Sequence, residues 1–326
     1  MKYLVTGSSG HLGEALVRVL RDRNADVVSI DLKPGAFTQF VGSIADYELV
    51  AAHMAGVDAV LHAATLHKPH VATHSRQDFV DTNITGTLNL LEAARHAGVS
   101  AFVFTSTTSA FGDALTPPPD GPAAWITEDV VPHSKNIYGA TKLAAEDLCW
   151  LALRRDRLPC IILRTSRFFP EEQDNAAMRS AYSTENAQAI EFLHRRVDIE
   201  DVVSAHLLAA ERAADIGFAR YIISATTPFG EVDLVELKRN ASTVVRRHVN
   251  FDATFAQRGW SMYPSIDRVY VNRRARDELG WRPIHDFATV LDRVRTGGSP
   301  LSDLANVVGS KGYHAQVFES GPYPVE

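Results

Sequence analysis

The sequence predicts an α/β fold: a doubly wound parallel sheet with helices on both faces, joined to a smaller, discontinuous α/β unit. Three observations carry this. Short, wholly apolar runs alternate with longer segments of helical period, as strands buried on both faces require. A glycine-rich turn directly follows the first run. After Pro170 the rhythm breaks into less regular segments. At 326 residues, 45% hydrophobic and 22% charged, the chain is long enough for one large α/β unit or two domains, and its composition excludes overall disorder.

The elements follow in order. Tyr3-Leu4-Val5 is the first strand, and Leu12, Ala15, Leu16, Val19 and Leu20 recur at helical spacing after it. Val27 to Ile30 is the second strand, ending at Asp31. Asp46–Ala55 suits a short helix and Ala59–His62 a further strand. Asp78–Ala97 reads as one long helix stopped by Gly98. Phe102–Phe104 is a strand, Tyr138–Arg155 a helix, and Cys160–Leu163 a strand. Between them, Asp113–Asn136 holds five of the fifteen prolines and reads as a long loop. Glu185–Leu193 and Glu200–Ala214 look helical, and Phe218–Ser224 is one more strand. Then come Asp233–Arg246, a Trp/Tyr/Pro stretch at Trp260–Pro264 and a helix over Arg273–Leu279. Trp260, Tyr263 and Trp281 suit packing better than ligand contact.

Charge narrows the partners. Lys and Arg number 33 against 39 Asp and Glu, a net −6, so neither nucleic acid nor an anionic membrane surface is expected as a partner. No apolar run reaches the roughly 18 to 20 residues of a membrane span. Cys149 and Cys160 sit in apolar surroundings and read as buried, reduced thiols. With an opening apolar run too short for a signal peptide, they suggest a cytoplasmic protein.

Thr6-Gly7-Ser8-Ser9-Gly10-His11-Leu12-Gly13 joins the first strand to the first helix. Gly7 allows the tight turn, Gly10 lets backbone approach a diphosphate, and Gly13 lets helix pack on strand. Asp31, 18 residues after Gly13, can hold ribose hydroxyls and repel a 2′-phosphate, which favours NAD over NADP despite nearby Lys33. The expected cofactor is therefore NAD. The ranges 1–165 plus about 198–226 then form its binding domain, and about 166–197 plus 227–326 a substrate-binding domain.

Tyr138-Gly139-Ala140-Thr141-Lys142 opens a helix, so Tyr138 and Lys142 share a face. A lysine ammonium beside a phenol favours the phenolate, which can exchange a proton with a substrate hydroxyl near neutral pH. Thr105-Ser106-Thr107-Thr108-Ser109 supplies hydroxyls after a buried strand, and Asn83 interrupts an apolar helix pattern.

From Lys2 to about Arg295 the chain resembles the short-chain dehydrogenase/reductase superfamily, in its extended branch of NAD-dependent sugar epimerases and dehydratases. The matching pieces are the glycine turn, Asp31, Leu61-His62-Ala63-Ala64, Asn83-Ile84-Thr85-Gly86-Thr87, Thr105 to Gly112, Tyr138 with Lys142, and Leu279-Gly280-Trp281 before Pro283. The resemblance implies a Rossmann-type fold and a catalytic tetrad of Asn83, Thr107, Tyr138 and Lys142, with Ser106 the neighbour most easily confused with Thr107. It implies cofactor contacts from Gly7, Gly10, His11, Leu12 and Gly13 in the turn, and from Asp31, Leu32, Ser43 and Ile44 at the adenosine end. Ala63, Ala64, Thr65, Thr105 and Thr165 would line the rest, with Tyr138 and Lys142 at the nicotinamide ribose. It also implies a homodimer through Asp78–Ala97 and Tyr138–Arg155.

Departures from that pattern narrow the reaction. Dehydratases of the branch carry Asp-Glu where this chain has Thr108 and Ser109, so dehydration is disfavoured. Ser43 replaces an adenine-contacting Asp. Arg167 stands where nucleotide-sugar epimerases carry Asn, and His194, beside Arg195 and Arg196, falls where a diphosphate-clamping arginine would be. Phe169-Pro170-Glu171, with Asp174 and Met178, is similar to uronate dehydrogenases. Arg167 facing inward would suit a carboxylate or phosphate; facing outward it would pair with Glu171 or Asp174. His62, His67, His70 and His74 lack companion ligands and Pro69 interrupts them, so no metal is expected. His67, Thr108 and Arg167 are the candidate substrate contacts.

The expected function is NAD-dependent chemistry at a secondary hydroxyl of a sugar or sugar derivative, with epimerisation through a transient keto intermediate. The alternatives are a net dehydrogenase or reductase, as for a free sugar acid, and a dinucleotide-binding sensor without chemistry.

Overall fold

The computed structural model describes residues 1–312, 314 and 318. Seven parallel strands form one sheet in the order β3-β2-β1-β4-β5-β7-β8: β1 Lys2–Thr6, β2 Asp26–Asp31, β3 Phe40–Val41, β4 Ala59–His62, β5 Ala101–Thr107, β7 Cys160–Thr165 and β8 Phe218–Ile223. A separate pair joins β6 Ala124–Ile126 to β9 Arg268–Tyr270. The strand order reverses between β1 and β4, the switch point at whose carboxyl edge such sheets hold ligands.

Alternation along the strands builds two cores. Val5, Leu61, Val103 and Ile161 face α1 (His11–Asp22) and α8 (Ile199–Ile216). Leu4, Val60, Phe102, Phe104 and Ile162 face α2 (Tyr47–Ala52), α4 (Gly86–Ala97) and α5 (Ile137–Asp156). Each fully buried side chain of this size contributes about 1.5–3 kcal/mol. Cys149 and Cys160 lie buried and reduced in the second core. Helix starts follow local chemistry: Asp46, Asn136 and Asp198 cap α2, α5 and α8 through their side chains. Gly98, in left-handed geometry, ends α4.

Two expectations need correction. The helix predicted over 78–97 starts at Arg76, as α3 (Arg76–Phe79), and widens into a π-helical turn at Val80–Thr85 before α4. The loop predicted over 113–136 contains β6, which pairs with a strand some 140 positions away that no local pattern announces. The predicted Arg273–Leu279 helix is present, α-helical at 273–274 and π-helical over Ala275–Leu279, and is closed by Gly280. The stretch 233–246 divides into α9 (Leu234–Leu237) and α10 (Ala241–His248), the latter started by the Asn240 side chain.

The remaining helices are α6 Ala176–Ala181, α7 Thr184–Glu191, α11 Asp252–Arg258, α12 Phe287–Arg295 and α13 Asp303–Val308. Trp281 is fully buried against α8, its indole N–H donating to the Asp201 carbonyl (3.1 Å) and Ser204 Oγ (3.0 Å). Among the described residues no helix is long and apolar enough to cross a membrane.

Candidate functional site

A cavity of about 840 Å³ opens at the carboxyl edge of the sheet, over the switch point. Its floor is the glycine turn. Gly7 has φ +75°, and a Cβ there would lie 2.8 Å from the Ala64 nitrogen; one on Gly13 would lie 1.9 Å from the Gly7 carbonyl oxygen. Only glycine permits this approach of turn, helix and β4 loop. No side chain caps α1 at Gly10, so the helix N-terminus is open to an anion. Asp31 braces the turn, accepting from the Ser9 N–H (2.9 Å) and the Lys33 N–H (2.7 Å), and lines the cavity beside Leu32, Ser43 and Ile44. A carboxylate retains further lone pairs for ribose hydroxyls. Turn, helix end and carboxylate together fit a dinucleotide. His11, Leu12, Ala63, Ala64, Thr65, Thr105 and Thr165 also line this cavity.

The hydroxyl group of the site lies deeper. Asn136 caps α5 by accepting from the Gly139 N–H (3.2 Å), which places Tyr138 and Lys142 one turn apart on the face toward the sheet. Both are buried. Thr107, last residue of β5, accepts from the Ser109 N–H (3.0 Å), and both it and Tyr138 line the cavity, where the Thr107 side chain acts to lower the Tyr138 pKa. The pleat sends Ser106 the other way, where its Oγ donates to Glu146 (2.6 Å). The alternation thus separates two residues whose sequence register alone left them confusable.

Burial dominates the electrostatics. It pushes Tyr138 up to about 12, the Thr107 side chain acting the other way. It draws Lys142 down to about 7, with Glu146 opposing. Lys142 Nζ lies 4.0 Å from the centroid of the Phe104 ring. Desolvation thus works against the phenolate that a charged lysine would favour, because it penalises both charged forms.

Asn83 sits in the π-helical turn and satisfies its amide fully. Its Oδ1 accepts from Thr65 Oγ1 and the Leu66 N–H (both 2.9 Å); its Nδ2 donates to the Leu66 carbonyl (2.9 Å) and Thr141 Oγ1 (3.0 Å). It locks the β4 loop to α5. His62 lies beneath, between Thr6 (2.8 Å) and Thr87 (3.0 Å). Burial and the Lys142 charge hold it well below its ordinary pKa.

The far end of the cavity is cationic. Lys68, Arg167, Arg195 and Arg268 line it, against Asp174. Behind them the fully buried Glu191 takes Arg195 (2.7 Å) and Arg196 (2.9 Å), with Arg167 at 3.9 Å. Arg167 lines the cavity while its Nη2 donates to the backbone carbonyls of Glu171 and Glu172 (2.8 Å each), and its charge helps to lower the Asp174 pKa. Glu171 pairs with His11 (2.8 Å), and Asp174 with Lys68 (2.5 Å). Thr108 borders the cavity and leans on the Thr165 carbonyl (3.4 Å). His67 also lines it, packed edge-on to His70 (4.7 Å) and beside Phe169 (5.6 Å). Burial, reinforced by His70, holds its pKa well below the ordinary value.

Among the described residues, one trio brings three metal-type ligand atoms together: Asp198, Glu200 and His285. None of these lines the cavity. Asp198 holds Ser302 (2.9 and 2.5 Å), and His285 is held between Glu200 (3.0 Å) and Arg293 (2.9 Å), so the trio ties α8 to the C-terminal helices.

Sequence reasoning missed Glu146, Glu191 and Lys311. Glu146 was findable: it follows Lys142 by four residues on the same helix face. Glu191 was findable in the same way, from Arg195 four residues on, whereas Lys311 depends on contacts across the fold.

Residues 3–223 match the model of the NAD dependent epimerase/dehydratase family. An uncharacterized protein of Sinorhizobium fredii is 33% identical over 167 residues, 49% of this chain, and the chain spans only 39% of that relative's length. A UDP-glucose 4-epimerase of Corynebacterium glutamicum is 24% identical over 354 residues, covering 95% of this chain and 100% of the relative. Among solved structures, a short-chain dehydrogenase/reductase superfamily protein of Agrobacterium tumefaciens with bound NAD superposes with a TM-score of 0.65 at 26% identity. The superposition covers 91% of this chain and 96% of the other.

Proposed function

The chain belongs to the NAD-dependent epimerase/dehydratase family of the short-chain dehydrogenase/reductase superfamily, and from that premise we propose that it epimerises a secondary hydroxyl of an anionic sugar derivative through a transient keto intermediate. The observation that carries this is that Thr107 and Tyr138 together line the inner end of a dinucleotide-shaped cavity, with buried Lys142 one helical turn from Tyr138.

NAD, when bound, supplies a hydride acceptor that can return the hydride. The chain's own residues manage the proton. Tyr138 takes the hydroxyl proton as the carbon loses hydride, and gives it back on the return. Thr107 steadies the same oxygen. Lys142, drawn to about 7, can be cationic at neutral pH, and its charge then favours the phenolate. Asn83 acts at a distance as a positioning residue through Leu66 and Thr141. Thr108 and Ser109 offer no carboxyl group for elimination.

Lys68, Arg167, Arg195 and Arg268 favour a phosphate or carboxylate on the substrate. The full-length relative's activity, UDP-glucose 4-epimerisation, supports a nucleotide-diphosphate sugar. A second reading, net oxidation of a free sugar acid, draws on Arg167, held at the cavity wall by two carbonyls where a carboxylate could reach it. A sensor without chemistry leaves the Thr107–Tyr138–Lys142 arrangement unexplained. Pairing of two copies through α4 and α5 is supported by exposed Leu88, Trp150 and Leu151 on those helices, and sedentation velocity in solution tests it.

The test of function is the cofactor state of the purified protein, followed at 340 nm as substrates are added. Retained NAD, products differing at one stereocentre and no net NADH support epimerisation. Stoichiometric NADH, appearing only with added NAD and a sugar acid, overturns it in favour of the dehydrogenase.

A further inference from the structure

Beyond α13 the chain turns back across the cavity. Ser310 Oγ donates to Glu171 Oε1 (2.8 Å). The Lys311 N–H reaches the same carboxylate and His11 Nε2 (3.2 Å each), and its ammonium donates to Glu14 Oε2 (2.5 Å). His314 Nε2 bonds the Pro69 carbonyl (2.9 Å). His11 and Glu14 belong to the glycine turn and the first turn of α1; Pro69 belongs to the loop after β4. These are the two lips of the switch-point cleft. The segment is anchored on both, and Lys311, Gly312 and His314 line the cavity between them.

The charge arrangement gives the contact a second role. Glu14 is a buried carboxylate in the first turn of the helix whose N-terminus would take a diphosphate. Unneutralised, it would oppose that anion. Arg18 (2.8 Å) and Lys311 share it, and Lys311 comes from 297 residues away. Glu171 is likewise buried and is held at about 2; burial works to raise it, and the His11 contacts outweigh that. Glu171 therefore stays ionised across the physiological range.

We infer that Ser310, Lys311 and Gly312, with His314, form a strap over the diphosphate of the dinucleotide. It completes the anion site by neutralising Glu14, and it must lift from Glu14, Glu171 and Pro69 before the cofactor can leave. The inference rests on a dinucleotide occupying this cavity, but not on the net reaction.

The test is NADH release, followed by stopped-flow fluorescence after displacement with excess NAD. The proteins compared are the full chain, Lys311→Ala, Ser310→Ala and a chain ended after Gly309. Release is expected to quicken about tenfold or more in Lys311→Ala and in the shortened chain. Affinity for ADP-ribose should fall with it, while affinity for adenosine, which lacks the diphosphate, should change less than about twofold. Unchanged release in Lys311→Ala and Ser310→Ala, with unaltered apo-protein melting, overturns the strap even if the shortened chain fails to fold. A full chain that binds no NADH overturns the cofactor reading itself, a result distinct from strap failure.

Discussion

Removing the charge of Glu146 should be among the costliest single changes in this protein. The side chain is buried and accepts four hydrogen bonds: Ser106 Oγ (2.6 Å), Arg164 Nε (3.0 Å) and Nη2 (2.7 Å), and Arg220 Nε (2.9 Å). Arg220 is partly exposed and already near Asp147 (3.5 Å), so it can find another partner. Arg164 is buried, its guanidinium 4.9 Å from the Phe111 ring, and has no such escape. Glu146→Gln therefore strands a buried cation, which costs about 3–5 kcal/mol. Replacing both partners, as Glu146→Leu with Arg164→Met, removes the stranded charge and should recover most of that loss. Urea unfolding of the two single variants and the double measures the coupling. A double variant no more stable than the weaker single would refute the reasoning. Burial works to raise the Glu146 carboxyl, and Arg164 with Ser106 and Arg220 outweigh it, leaving it below its ordinary 4.5. The wild type should accordingly hold this stabilisation above about pH 4.5 and lose it as pH falls toward the folded value, whereas Glu146→Gln should lack that acid dependence.

Other expectations follow from the site. Tyr138→Phe should lower turnover by at least about 10²–10⁴ with NAD affinity nearly unchanged by calorimetry; retained activity would remove the phenol from the chemistry. Thr107→Val should cut kcat by about tenfold or more while Ser106→Ala costs mainly stability, and equal kinetic losses would contradict the pleat assignment. Gly13→Ala must displace the Gly7 carbonyl, and calorimetry should find dinucleotide binding reduced at least about tenfold. Arg195→Ala should raise KM for an anionic sugar more than it lowers kcat; the reverse pattern would place Arg195 outside substrate binding.

What the sequence made legible was local. The strand–glycine turn–helix start, the acidic end of β2 and the Tyr138/Lys142 spacing each occupy a few consecutive residues, so periodicity and turn chemistry suffice to read them. The π-helical turn at Val80–Thr85 was not legible, because the tertiary bonds of Asn83 impose it on a helix-forming segment. The strands β6 and β9 are three residues each, the first inside a proline-rich stretch, and only their mutual pairing makes them strands. Arg167 could be placed at the site but not oriented. It reaches backbone carbonyls and a carboxylate 24 residues on, which no side-chain spacing encodes.

The saturated amide of Asn83 has a mechanical consequence. The β4 loop carries Thr65 and His67 toward the cavity, and α5 carries Tyr138. One side chain rivets these two elements with four bonds, so they should move as a single body. Breathing of the sheet edge then shifts the cofactor bed and the proton donor together. Their spacing, on which a reversible transfer depends, should then be buffered against thermal motion by a residue that does not line the cavity.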